Sequence, residues 1–485
     1  MAESQSTQPT DPAGTTGKLS TWVHGLRIED IPPEVLTRAK YLMLDGIACA
    51  LVGAHLPWSE TAAKAIFEME MMGGTAKVIG WDKSITPMSA ALINSTFIQG
   101  FELDDWHSEA PLHSNSFLIP SLLAASSHLA ALTPPVHISG EAFLLAYVTG
   151  LEVGPRVGRA FYGPHILTRG WHSGAVFGPP AAAAAVSKLL DLSAARIEDA
   201  FGMACTQACG LMSAQFESDV KRMQHGFAAR NGLLAALLAK SGYVGIKRVF
   251  EREYGGYLAM FSSGSGQTPE YLEAEVTAKL GERWMAKGVN VKPYSAVAAT
   301  HGTIDCVRKL QEEHPAEMKD YKNISSLKFE MAAAAFHHGG WTAKRPLNTI
   351  GAQMSCSYAA ATQIIDKAVL PAQFRHDMLD RDDIWGLIDK TTTAAADDLE
   401  KSYRQRATVT LSDGKTLTAD VKAPRGIDPA LTNEEVEEKY IALIESVAEA
   451  ERRDKIKEMV LAMEKVDRVA DLDVLLSSPT KNPIA

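Results

Sequence analysis

Cysteine is scarce. The 485 residues hold five thiols (Cys49, Cys205, Cys209, Cys306 and Cys356), an odd number, so no disulfide framework is expected and a reducing compartment suits the chain. A clean apolar run is missing too. The longest stretch without Asp, Glu, Lys or Arg, Ala110–Gly140, is broken by Pro111, Pro120, Pro134 and Pro135 and carries three histidines. A membrane span requires roughly 20 clean apolar residues. Aromatics make up only 7% while alanine is abundant, which favours close-packed helices over β-sandwich layers. Basic residues are outnumbered, 48 against 58 acidic ones, for a net charge of −10. That balance argues against a protein held by overall charge on nucleic acid or an anionic membrane, and any anion site must concentrate its cations locally. G-x-G-x-x-G, Walker, G-x-S-x-G and H-E-x-x-H patterns are absent, which argues against nucleotide, flavin and zinc-protease chemistry.

The first segment, Met1 to Lys18, is rich in Ser, Thr, Gln and Pro and has neither an apolar core nor arginine. It reads as a disordered tail, not a targeting signal, and the chain as a soluble cytoplasmic protein. From about Ile31 to Leu280 the apolar spacing is mostly helical. Pro32-Pro33 opens a helix running through Cys49. Others are expected at Pro87–Leu103, Phe117–Leu132, Glu141–Val157, Gly174–Leu190, Ala194–Met212 and Val220–Ser241, with Ser139 and Ser193 as helix starts. The character changes near Gly288. Val289–Val291 is β-branched, Ser295–Glu312 looks helical, and Leu327–Met331 alternates. Ala407–Leu411 and Thr416–Val421 flank Ser412-Asp413-Gly414-Lys415, a strong hairpin signal. Asn433 to about Lys465 is helical and charged again, with Glu434 and Glu435 in the first turn. The expectation is a mainly α protein. A large all-helical domain is built from 19–287 and 426–485, and a smaller α/β domain from 288–425.

Four carboxylates and two imidazoles crowd into Glu102–His113 (Glu-Leu-Asp-Asp-Trp-His-Ser-Glu-Ala-Pro-Leu-His), directly before an apolar helix. His113 could be an acid or base, its ordinary pKa lying near working pH. Alternatively, the segment is an exposed acidic turn whose histidine caps the next helix, or His107, Glu109 and His113 hold a metal. Cys205 and Cys209 lie one helical turn apart but lack further ligand spacing, so they read as core thiols. His172 stands among small residues at the entrance of an Ala-rich helix. Such neighbours let a ligand approach the backbone, although a core histidine satisfied by a carbonyl is the plainer reading. Lys221 and Arg222 precede a run that reads as buried, and buried cations need an anionic partner, from protein or ligand. Lys292, His301 and Tyr358 fall at or beyond the change of character near 288 and are unremarkable singly.

Longer stretches carry a resemblance. Leu103-Asp104-Asp105-Trp106-His107-Ser108-Glu109-Ala110-Pro111-Leu112-His113, the run from Ala204 to Gln215, and Val220-Lys221-Arg222 through Leu234 resemble the MmgE/PrpD family, as do Arg38–Ala50 and Gly170-Trp171-His172. Glu102, Trp106 and Ser295 stand where the family often has Asp, Thr and Pro. The resemblance implies a helical domain completed by both chain ends, a smaller lid domain, a homodimer, and an active site between the domains. It implies cofactor-independent decarboxylation of cis-aconitate, a small tricarboxylate, to itaconate and CO2. Dehydration of 2-methylcitrate or an alkylcitrate, or decarboxylation of alkylated aconitates, are the alternatives. Carried over by position, the catalytic residues would be His113, His172, Lys221, Lys292 and Tyr358, with Asp104, Asp105, Arg222 and His301 around the substrate and no metal.

Overall fold

The computed structural model describes residues 6–214, 218–341, 343–399 and 403–485. Residues 1–5 of the expected tail, and Gln215 in the matching stretch, lie outside them. The chain forms two compact units. One holds the described residues up to Gly100, together with Asp104–Val289 and Val436–Lys481. The other holds Phe101–Leu103, Asn290–Glu435 and Asn482–Ala485.

The larger unit is mainly α. Proline occupies the first turn of the helices Pro33–Gly53, Pro57–Met69 and Pro87–Ile98, where its missing N–H costs nothing. Further helices span Asn115–Ala130, Gly140–Ala160, Ser173–Leu189 and Gln224–Lys240. Ser139 caps its helix, its hydroxyl accepting from Ala142 N–H at 3.2 Å, whereas Ser193 makes no such bond. Every residue of Ser173–Leu189 is buried, and the Ala/Gly composition explains how. A Cβ on Gly232 would fall 2.4 Å from Ala182 Cβ, and one on Gly178 would fall 2.7 Å from Ala228 Cβ, so glycines let Gln224–Lys240 lie directly against this central helix.

Three expectations change here. The unit is not all-helical, because Ala76–Val78 and Lys83–Ile85 pair as a small antiparallel ribbon. The helix expected over Ala194–Met212 stops at Cys205; Gly210 takes φ +101°, which no helix accommodates, and Leu211 bridges to Trp171. From residue 6 onward the tail is structured. Glu198 accepts from both the N–H (2.8 Å) and hydroxyl (2.9 Å) of Thr10, and a helix starts at Thr15. Its polar composition serves as a set of donors for buried carboxylates.

The smaller unit is built on a four-stranded mixed sheet, ordered Thr391–Ala395, Ile324–Met331, Gln405–Leu411, Thr416–Val421. Only the first pair is parallel. Leu327, Phe329 and Met331 are buried on alternate positions, and a register shift between Ile324 and Ser326 puts Ile324 on the same buried side. The Asp413-Gly414 turn forms with Gly414 at φ +85° and Leu411 N–H donating to the Lys415 carbonyl. His301–Glu313 and Cys356–Asp366 pack together in the same unit, the first also against the hairpin strands. The unit runs on to Glu435 instead of ending at 425, and it takes in Phe101, whose ring meets Phe374 at 5.8 Å and whose carbonyl accepts from Gln353.

Candidate active site

The acidic loop is organised from inside. Asp105 accepts from the N–H groups of Ser114 (2.9 Å) and Asn115 (3.0 Å), anchoring the start of the helix Asn115–Ala130. Burial, then repulsion from Asp104, pushes its pKa up to about 7. Asp104, also fully buried, accepts from the Gln99 amide. Its Oδ2 lies 3.1 Å from Nδ1 of His113, in ion-pair range but off the line of a well-directed hydrogen bond. The His113 side chain keeps 24% exposure, so the loop holds one partly accessible imidazole against a buried carboxylate. Asp104 and Asp105 were expected at the substrate. Their burial and their partners make them supports of His113 and of the helix start.

His172 sits at the N-cap of Ser173–Leu189, where its Nδ1 accepts from Ala175 N–H at 3.3 Å. That acceptor role leaves the ring proton on Nε2. Burial, then the charge of His113, holds the pKa down to about 3, so this imidazole is a neutral donor.

Between them stands His225. Its ring meets His113 edge-on at 5.1 Å and His172 edge-on at 5.0 Å, and it lies parallel to Phe117 at 6.5 Å. Sequence reasoning did not place His225 in the site. The available signal was Gly174, whose missing Cβ makes room for that ring. Lys221 precedes His225 by four residues, in the half-buried 3-10 turn Asp219–Met223. Thus His113 and His172 come together through His225.

Arg222 plays a different part from the one expected. Its Nε donates to the Gly100 carbonyl at 3.0 Å, and its guanidinium lies 4.1 Å over the Trp58 ring, leaving 4% exposed. In this arrangement it packs on Trp58 and braces the Gly100 carbonyl.

In the smaller unit Lys292 is buried and donates to Glu102 at 3.2 Å. Glu102 holds φ +56°, an unfavourable conformation for a residue with a side chain. His301, at 2% exposure, bonds through Nε2 to the Ala296 carbonyl at 2.9 Å. Tyr358 is fully buried and its hydroxyl donates to the Gln373 carbonyl at 2.7 Å, and burial raises its pKa. In this arrangement the hydroxyl proton, expected to serve the reaction, is directed at the Gln373 carbonyl.

The alternative metal set disperses. His107 accepts from Glu109 N–H at Nδ1 and donates through Nε2 to the Met285 carbonyl, while Glu109 pairs with Arg159 and Arg283. Among the described residues, no three His, Cys, Asp or Glu side chains stand together as a metal site. Cys205 is buried but Cys209 is exposed, so only one of the two is a core thiol. A surface cavity of about 630 Å³ adjoins His107, Glu109 and Arg283, on residues other than the three clustered imidazoles. Among the described residues, no helix is long and apolar enough to cross a membrane.

Residues 17–268 match the MmgE/PrpD N-terminal domain and residues 294–465 the MmgE/PrpD C-terminal domain. The chain belongs to the MmgE/PrpD family. It is 47% identical over 477 residues to the cis-aconitate decarboxylase-like protein oryM of Aspergillus oryzae, covering 97% of this chain and 99% of that protein. It is 43% identical over 490 residues to a cis-aconitate decarboxylase of Aspergillus terreus, covering 99% of each. A human cis-aconitate decarboxylase is 24% identical over 487 residues, covering 97% of this chain and 96% of that protein.

Proposed function

We propose that this chain is a carboxy-lyase that decarboxylates cis-aconitate to itaconate and CO2 without a cofactor. The observation that carries the reading is the end-to-end similarity to named cis-aconitate decarboxylases, over a loop that sets His113 against buried Asp104. Loss of CO2 from the CH2–carboxylate arm sends the bond electrons through the neighbouring C=C to the far carbon. That carbon's own carboxylate delocalises the charge as an enediolate. The double bond is the electron sink. His113, held 3.1 Å from buried Asp104, then delivers a proton to the far carbon. His172, neutral and carrying its proton on Nε2, donates a hydrogen bond to a substrate oxygen. Lys221 and Lys292 are assigned to the carboxylates, where cations aimed at developing charge stabilise the transition state more than the ground state. Lys292 would exchange Glu102 for substrate. A cytoplasmic homodimer is part of the same proposal, supported by the family resemblance.

Purified protein given cis-aconitate should release CO2 and itaconate, whereas 2-methylcitrate should be left unchanged. Water loss from 2-methylcitrate, with no CO2 from cis-aconitate, would establish a dehydratase instead. His113→Ala should stay folded and lose ~10²–10⁴-fold in turnover, the range for a lost general acid.

A further inference from the structure

The start of the helix Gln224–Lys240 is held on three sides. Just before it, Arg222 is fixed on Trp58 and the Gly100 carbonyl. Its first residue, Gln224, bonds the Leu211 backbone twice: the side-chain carbonyl accepts from Leu211 N–H at 2.9 Å, and the amide donates to the Leu211 carbonyl at 3.2 Å. Its third, Gly226, lies so near the Leu92 carbonyl that a Cβ would stand 2.6 Å from that oxygen. The Gly210-Leu211 segment also ties in the helix Ser173–Leu189. His172 N–H donates to the Gly210 carbonyl at 3.2 Å, and Leu211 bridges to Trp171. The backbones that carry His225 and His172 thus share one set of anchors.

His225, second in its helix, is fully buried among them. Its Nε2 edge is turned to Gly174, in the first turn of the His172 helix, and its face lies parallel to Phe117. The ring fills the space between that first turn and the acidic loop, meeting His172 and His113 edge-on at 5.0 and 5.1 Å. The two flanking rings depend on it unequally. His172 has its own anchor in the bond from Ala175 N–H. His113 has Asp104 at 3.1 Å, off the line of a well-directed hydrogen bond, and 24% of its side chain is exposed. Such a contact fixes a distance but not the plane of a ring. The plane is set where His113 meets His225.

That plane decides where the proton goes. Nδ1 of His113 faces Asp104, which leaves Nε2 to the substrate. When CO2 departs, its bonding pair becomes the enediolate, whose far carbon is flat and open on two faces. A C–H bond then forms there with the proton from Nε2; the N–H pair stays on the imidazole, and solvent returns the proton.

We propose that His225 is a positioning residue for this transfer: wedged against Gly174, its ring fixes the plane of His113 and so the face of the far carbon that is protonated. This rests on His113 being the acid, and the test reads the two separately. Full-length protein turns over cis-aconitate in D2O, and deuterium NMR of the itaconate in a chiral liquid crystal reports the face labelled. The unsubstituted protein should label one face. His225→Asn removes the ring and leaves the helix anchors intact. It should lose about tenfold or more in kcat with KM little changed, and should label both faces. One-face labelling by His225→Asn, at whatever rate, makes His225 a packing residue and overturns the proposal. So does a loss carried by KM alone, or two-face labelling by the unsubstituted protein. Should His225→Asn fail to fold, Gly174→Ala, which crowds the same ring, decides by the same readings. His113→Gln tests the acid itself, and a ~10²–10⁴-fold slower turnover upholds it. One-face labelling by His225→Asn beside that loss removes the positioning role alone. Normal rate and one-face labelling in His113→Gln remove the acid, and the positioning role falls with it.

Discussion

A Cβ on Gly174 would lie 1.9 Å from Nε2 of His225, so the first turn of one helix is the wall against which the central imidazole rests. Gly174→Ala must therefore displace His225 from its place beside His113 and His172, since the obstructing atoms belong to its buried ring. The expected result is a folded protein with turnover down about tenfold or more, because an ångström-scale misplacement at a reacting centre costs on that order. Gly386→Ala is the control. A Cβ there meets nothing within 4 Å, and the residue lies inside the helix Asp382–Ile388, so thermal stability should hold or rise by up to ~1 kcal/mol. Melting curves and steady-state rates of the two variants check both statements.

His172→Asn separates two jobs of one ring. Asparagine is a good N-cap and can still accept from the Ala175 N–H, but it no longer presents the Nε2–H of a neutral imidazole. Melting temperature should therefore change little while kcat/KM falls by about tenfold or more. In the unsubstituted protein, the His172 resonance should not titrate between pH 5 and 8, because burial holds its pKa down to about 3. A midpoint near 6.5 would remove the neutral-donor role.

Much of this arrangement was legible in the sequence because it depends on local chemistry. Proline at helix starts, the Asp413-Gly414 turn and the alternation of Leu327, Phe329 and Met331 each act within a few residues, and each is found where the pattern placed it. His113 and His172 stood out by their neighbours. What escaped depends on distant partners. Nothing near Arg222 reveals that Trp58 and the Gly100 carbonyl claim it, and nothing near Tyr358 points to Gln373. His225 looked like an ordinary residue of a buried helix, and only the glycine fifty positions earlier exposes the room made for it. A polar tail likewise reads as solvated until the carboxylate of Glu198 is found beneath Thr10.

Tyr358→Phe distinguishes a packing tyrosine from a catalytic one. Removing the hydroxyl takes that donor from the Gln373 carbonyl in a part-buried setting, which should cost roughly 0.5–1.5 kcal/mol of stability. Turnover on cis-aconitate should stay within about threefold of the unsubstituted protein, against the ~10²-fold or greater loss expected of a proton donor. Denaturant melts and kcat measured on the same preparation decide it, and a large fall in kcat with unchanged stability would return the hydroxyl to the reaction.

Asp473 gives the fold a pH dependence whose sign can be worked out. It lies in the helix Val469–Ser477, fully buried, with the Ser127 hydroxyl at 2.6 Å, and burial raises its pKa from 3.8 to about 7. Below pH ~4 this carboxyl is protonated in folded and unfolded chains alike and contributes no pH dependence. As pH rises from about 4 to about 7 the unfolded chain releases its proton while the folded one retains it, so stability falls with pH; above about 7 both forms are ionised and the loss levels off. Asp105 acts in the same direction over the same window. Asp473→Asn keeps the shape and a hydrogen-bonding partner for Ser127 but cannot ionise. The variant should therefore be the more stable protein at pH 8, by a few kcal/mol at most, with the advantage shrinking toward pH 4. Urea unfolding at both pH values measures the difference, and an advantage that fails to shrink on acidification contradicts a protonated Asp473 in the fold.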